Sequence, residues 1–168
     1  IKLHRVNDNP ATSSGPYAAG TFTPDQSVGY LMRQVLNSIR SQADARLASC
    51  DMTYVQWLPL YKLMLQEGAT TASLARELAI DPGAMTRSVD RLVAKGLVRR
   101  ERSQQDRRVV HLELTAEGRS AAQRVPAVLS EVLNAHLHGF SDAEWRQLLQ
   151  LLQRMQANGE ALRQAPTD

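Results

Sequence analysis

The stretch "LARELAIDPGAMTRSVDRLVAKGLVRRERSQQDRRVVHLELTAEG", Leu74 to Gly118, decides the fold. Its first half holds two short helices divided by a turn. Thr71 begins the first, with Leu74, Ala75 and Leu78 inward. Asp81 can cap the second, with Pro82 in its first turn, Met85, Val89 and Leu92 inward, and Gly96 at its end. This is the pattern of a helix-turn-helix, whose second helix must present small and polar residues at its exposed N-terminal end. Here that end offers Gly83, Ala84, Thr86 and Arg87. After Gly96 the period changes from helical to alternating. Val98, Arg100 and Arg102 share one parity of a first strand, and Val110, Leu112 and Leu114 supply the apolar face of a second. The polar segment between them is the tip of a hairpin. A hairpin directly after a helix-turn-helix is a wing, a stiff stalk whose arginines can enter a minor groove.

Working outward, "TFTPDQSVGYLMRQVLNSIRSQADARLASC" predicts a long first helix with Thr23 as N-cap and Pro24 at its first position. Its apolar residues Val28, Leu31, Met32, Val35, Leu36, Ile39, Ala43 and Leu47 recur at helical spacing. A second helix is expected from Thr53 to Gly68, with Pro59 straining its middle. Beyond the wing, Thr115 caps a helix whose inner side is Ala122, Val125, Leu129, Val132, Leu133 and His136, and Pro126 predicts a kink or break. Ser141 to Glu144 form a capping box for a last helix carrying Leu148, Leu149, Leu151, Leu152 and Met155. The terminal helices carry more apolar surface than one small lobe can cover, so two chains are expected to share a helical core.

The 168 residues are 43% hydrophobic and only 5% aromatic, a composition that favours a folded and mainly helical chain. No apolar run approaches the roughly 18 residues needed to cross a bilayer, so no membrane partner is expected. The net charge of +3 conceals an uneven distribution. Residues 87–108 hold eight basic residues (Arg87, Arg91, Lys95, Arg99, Arg100, Arg102, Arg107, Arg108) against three acidic ones (Asp90, Glu101, Asp106). One cysteine, Cys50, allows no disulfide within the chain and fits a reducing compartment, the cytoplasm. The expected organisation is an irregular arm over residues 1–22, a helical dimerisation region over 23–50 and 115–163, and a winged helix-turn-helix lobe over 51–114. The fold class is mainly α with one small β hairpin.

Together these residues resemble the multiple-antibiotic-resistance regulator (MarR) family of bacterial winged-helix transcription factors, over about Gln26 to Leu162. The part that carries the resemblance best is "DRRVVHLELTAEG", with its Asp, any residue, Arg, then a strand ending in Leu-Thr; the helix-turn-helix before it agrees in its Leu, Lys-Gly-Leu and Arg spacing. The resemblance implies a homodimer that binds double-stranded DNA at a pseudo-palindrome with half-sites about one helical turn apart. It places Arg108 in the minor groove, with Asp106 fixing its geometry and Arg107 meeting phosphate. It sets Gly83, Ala84, Thr86 and Arg87 against base edges in the major groove. Arg87 is the candidate for bidentate reading of guanine. Thr71, Ser73 and Arg91 are candidate phosphate contacts. The bland reading of Arg87 and Arg91 is an i,i+4 surface pair with Asp90 or Glu neighbours.

The family commonly binds small anionic aromatic compounds, which implies a small aromatic carboxylate or phenolic effector that releases a repressor from its operator. Asn37, Arg40, Val55, Trp57 and Tyr61 are the candidate ligand residues, Arg40 for a carboxylate and Trp57 and Tyr61 for a ring. Against this stand an Arg40–Asp44 pair and an ordinary core role for Trp57 and Tyr61. Oxidation of Cys50 and metal binding by His111, His136 or His138 are competing modes of sensing, and an architectural DNA binder without ligand control is a further one. No glycine-framed nucleophile, phosphate loop or metal-ligand spacing points to an enzyme, and no cofactor is expected.

Overall fold

The computed structural model describes residues 15–66 and 68–164, with the Cys50 side chain excepted. The arm is therefore described only from Gly15, and the Cys50 oxidation switch lies outside the described residues. The elements run α1 (Val28–Leu47), α2 (Tyr54–Leu65), α3 (Thr71–Glu77), α4 (Pro82–Ala94), β1 (Val98–Arg102), β2 (Val110–Leu114), α5 (Ala116–His136) and α6 (Asp142–Gln164). The result is a mainly helical chain with one antiparallel hairpin, as expected from composition and period. Two compact units divide after Ser38.

In the first unit, Thr23 and Pro24 open a single 3-10 turn, Pro24–Gln26, instead of the long helix. Ser27 is extended (φ −82°, ψ 121°), so α1 begins only at Val28. Thr23 stands at the N-cap position of that turn but makes no side-chain capping hydrogen bond. The Tyr17 hydroxyl accepts the Val28 amide at 2.8 Å, and its ring packs against Phe22 with centroids 5.8 Å apart.

In the second unit, the core is built from Ala43 and Leu47 of α1, Leu60 and Leu63 of α2, Leu74 of α3, Met85, Val89 and Leu92 of α4, Leu112 of β2, and Ala122, Val125 and Val132 of α5. The inward faces expected for α3 and α4 are the faces that are buried. Thr71 begins α3, as expected, with Thr70 as its N-cap. One correction falls on a helix end. The second helix stops at Leu65, three residues before Gly68, because Gln66 is extended. Pro59 is accommodated inside α2 and Pro126 inside α5, each within one continuous helical span. Of the inner side expected for α5, Leu133 is instead 42% exposed and His136 half-buried.

The base of the hairpin is fastened by one residue. Thr115 caps α5 by accepting the Gly118 amide at 3.0 Å, while its hydroxyl donates to the Gly96 carbonyl at 2.7 Å and its amide to the Leu97 carbonyl at 3.1 Å. Gly96 sits at φ +68°, which lets α4 close with Leu97 N–H on the Leu92 carbonyl and Gly96 N–H on that of Val93. α6 behaves differently. None of its residues is buried, and Trp145, Leu149, Leu151, Leu152 and Met155 are all exposed. No described helix is long and apolar enough to cross a membrane.

Candidate nucleic-acid interface

Asp81 caps α4 through Oδ1 on the Ala84 amide at 2.8 Å, and Pro82, which lacks an amide hydrogen, costs nothing in that first turn. The capping leaves Gly83, Thr86, Arg87 and Asp90 on one exposed face at positions i, i+3, i+4 and i+7, with Ala84 half-buried at its edge. Behind this face, Met85, Val89 and Leu92 are fully buried and hold the helix in place.

The hairpin pairs Val98 with Leu114, Arg100 with Leu112 and Arg102 with Val110, which is the parity expected from the sequence. Towards the tip the apolar face opens, from Leu112 in mid-strand, 1% exposed, to Val110, 36% exposed. The tip is set by Asp106. Its carbonyl accepts the Val109 amide at 2.9 Å and its Oδ1 the Arg108 amide at 2.9 Å. An aspartate bonding two residues onward fixes a tight turn, which leaves Arg107 and Arg108 at its exposed corner. Ser103 Oγ accepts the amides of Gln105 and Asp106 and steadies the other side.

The eight cations of residues 87–108 divide into two groups. Arg99 meets Glu113 directly across the hairpin, with Nη2 2.6 Å from Oε2, and this carboxylate holds the guanidinium above its ordinary pKa. Arg100 Nη2 lies 2.5 Å from Asp90 Oδ1. Lys95 donates to the backbone carbonyl and the carboxylate of Asp51, and to the buried amide oxygen of Gln56. Among the described residues, the guanidinium groups of Arg87, Arg91, Arg102, Arg107 and Arg108 make no ion pair or hydrogen bond. The pairing of Asp90 with Arg100 removes the bland partner considered for Arg87 and Arg91. Arg102 is a free cation that sequence reasoning did not single out. Its advance signals were its place in the basic run of residues 87–108 and its parity with Arg100, and neither tells which of the two would find a carboxylate.

At the start of α3, Ser73 is already occupied. It accepts the Thr70 amide at 2.9 Å and gives its hydrogen to the Thr70 carbonyl at 3.0 Å. Thr71, at the first helical position, is half-buried. His111 Nδ1 stands 2.7 Å from the Gly68 carbonyl, and the Leu112 amide donates to Ala69 at 2.8 Å, so β2 is stitched to the loop before α3. No group of three potential metal ligands occurs among the described residues.

The residues considered for an effector are only partly brought together. Trp57 and Tyr61 are neighbours, with centroids 6.4 Å apart, and Tyr54 extends the row with its centroid 6.2 Å from that of Trp57. Val55 is 41% exposed on a different face of α2. Arg40 pairs with Asp44 at 3.8 Å, and the other oxygen of Asp44 accepts the Tyr54 amide at 2.5 Å. Asn37 is an exposed residue of the first unit.

Comparison with known proteins agrees with this geometry. Residues 52–110 match the model of the MarR family. A probable transcriptional regulator from Pseudomonas aeruginosa superposes with a TM-score of 0.72 at 26% identity, over 79% of this chain and 99% of the other. A MarR family protein from Mycobacterium tuberculosis, in complex with DNA, gives 0.60 at 26% identity, over 77% and 97%. The MepR–DNA complex from S. aureus gives 0.73 at 23% identity, over 79% and 98%, a likeness of fold.

Proposed function

On the premise that residues 52–110 are a MarR-family winged helix-turn-helix, we propose that this chain is a sequence-specific DNA-binding transcriptional regulator of the bacterial cytoplasm. The observation that carries this reading is the division of the cations. Three are paired with carboxylates of the lobe, while five stay uncommitted on the exposed part of α4 and on the wing. Unpaired guanidiniums on an exposed surface suit the phosphate backbone, whose neutralisation supplies a large share of the affinity of such proteins. In this reading α4 enters the major groove with Gly83, Ala84, Thr86 and Arg87 towards the bases. Arg108 enters the minor groove from the turn that Asp106 fixes, and Arg91, Arg102 and Arg107 meet phosphates. Thr71 contributes through the α3 N-terminus, and Ser73 orders that terminus before it touches DNA. Substitution of Arg108 by alanine is expected to weaken binding to a selected operator duplex by at least about tenfold. Thermal stability should not change, and undiminished binding across a salt titration would refute the assignment.

The working form is a homodimer. The support is α6, which in one chain exposes a full apolar stripe that a second copy would cover. Two lobes then meet half-sites about one helical turn apart. We further propose that a small aromatic carboxylate or phenol governs release, with its ring against Trp57 and Tyr61 and its carboxylate drawing Arg40 away from Asp44. Effectors that stabilise a lobe spacing unable to span successive grooves would shift the population off DNA, making the protein a repressor. Benzoate-type acids should raise the melting temperature of the wild type and not that of Arg40→Ala.

A further inference from the structure

The exposed face of α4 carries more information than its residue types. Thr86 Oγ1 donates its single hydrogen to the Pro82 carbonyl, 2.9 Å away and one turn back. It therefore has no hydrogen left for the acceptors of guanine (N7, O6) or thymine (O4) in a major groove. Its methyl group is what remains to be presented on an exposed residue. Arg87, the next residue, lies back along the same face. A Cβ built on Gly83 would stand only 3.3 Å from Arg87 Nη1, so the absence of a side chain there gives the guanidinium its room. A methyl and a guanidinium thus stand side by side at the end of the helix that leads into the groove.

We propose that Thr86 reads the 5-methyl group of a thymine in the base step next to a guanine read by Arg87, with Gly83 keeping the guanidinium beside it. This rests on the reading that α4 enters the major groove. The chemistry favours thymine because its methyl is the one apolar feature on a major-groove edge, and apolar contact with it needs no hydroxyl. A lone pair of Thr86 accepting from adenine or cytosine is the competing possibility, and it would require the hydroxyl.

The test uses the full-length protein and a half-site obtained by selection from a random duplex library. The thymine is then replaced by deoxyuridine, which removes only the methyl. Wild-type affinity should fall by about fourfold, the effect of withdrawing one methyl-sized group from a buried contact. Thr86→Val, which keeps the methyl and removes the hydroxyl, should bind like the wild type and show the same loss with deoxyuridine. Thr86→Ser, which keeps the hydroxyl and removes the methyl, should bind the two duplexes equally. Loss of selectivity in Thr86→Val, or its retention in Thr86→Ser, would overturn the proposal. Arg87→Ala separates the two levels of inference. If it leaves the guanine preference intact, α4 does not read that base and the underlying reading falls too. If it abolishes that preference while the thymine is ignored, only the Thr86 contact is wrong.

Discussion

Asp90 of α4 and Arg100 of β1 meet at 2.5 Å, and this pair joins the helix that would read DNA to the wing beside it. Asp90 occupies the same exposed face as Gly83, Thr86 and Arg87. Left alone, its carboxylate would confront the phosphates that this face is proposed to approach. Pairing with Arg100 neutralises it and fixes the wing's first strand against the helix.

Arg100→Ala should therefore weaken operator binding by about tenfold, roughly 1.4 kcal/mol, although Arg100 itself need touch no DNA. Folding stability should change by less than about 1 kcal/mol, since the pair is half-exposed. The double variant Arg100→Ala with Asp90→Asn should regain most of the lost affinity. If the double variant binds no better than the single one, Arg100 acts by its own contact with DNA.

Among the described glycines, Gly118 is the most closely packed. A Cβ there would lie 1.8 Å from the Leu97 carbonyl oxygen, and that carbonyl also receives the Thr115 amide. Backbone on both sides cannot yield cheaply, so Gly118→Ala should cost about 3 kcal/mol or more in chemical denaturation. A cost below about 1 kcal/mol would refute the close approach.

The start of α6 should be sensitive to acid. Glu144 accepts the Ser141 amide at 2.8 Å and the Ser141 hydroxyl at 2.7 Å, and these bonds hold its carboxyl below its ordinary pKa. Because the folded pKa is the lower one, the stabilisation is complete above the ordinary carboxylate range and is lost as pH falls through the depressed value. Amide exchange at Ser141, followed by NMR through an acid titration, should show the first turn opening in that window. Glu144→Gln keeps a capping side chain without a titrating charge and should remove the pH dependence. Opening at the same pH in that variant would place its cause elsewhere.

Much of this molecule was readable because its signals are local. Asp81 and Thr115 cap helices where the sequence says they should, and the alternation of Val110, Leu112 and Leu114 fixed the hairpin face. Thr23 and Pro24 misled because a good helix start can spend itself on one 3-10 turn when the next residue turns extended, as Ser27 does. The sorting of the cations was not readable at all. Arg99 and Glu113 are 14 residues apart and become partners only through strand register, while Arg100 finds Asp90 only once β1 packs beside α4. The charge pattern shows how many arginines there are; tertiary pairing chooses which of them stay free. The Arg40–Asp44 pair, by contrast, is local and was readable from its i,i+4 spacing, and it competes with any anionic ligand.

The central claim, that five uncommitted arginines and not their paired neighbours hold DNA, is tested most directly by the salt dependence of operator affinity. Fluorescence anisotropy would follow one duplex across a range of salt concentrations, for the wild type and for single glutamine substitutions. Each of Arg91→Gln, Arg102→Gln and Arg107→Gln should flatten the slope of log affinity against log salt by about 0.9, one phosphate contact apiece. Arg99→Gln, whose charge is already spent on Glu113, should leave the slope unchanged. Equal flattening by Arg99→Gln and the other three would contradict the account, because affinity would then follow total charge and not its arrangement.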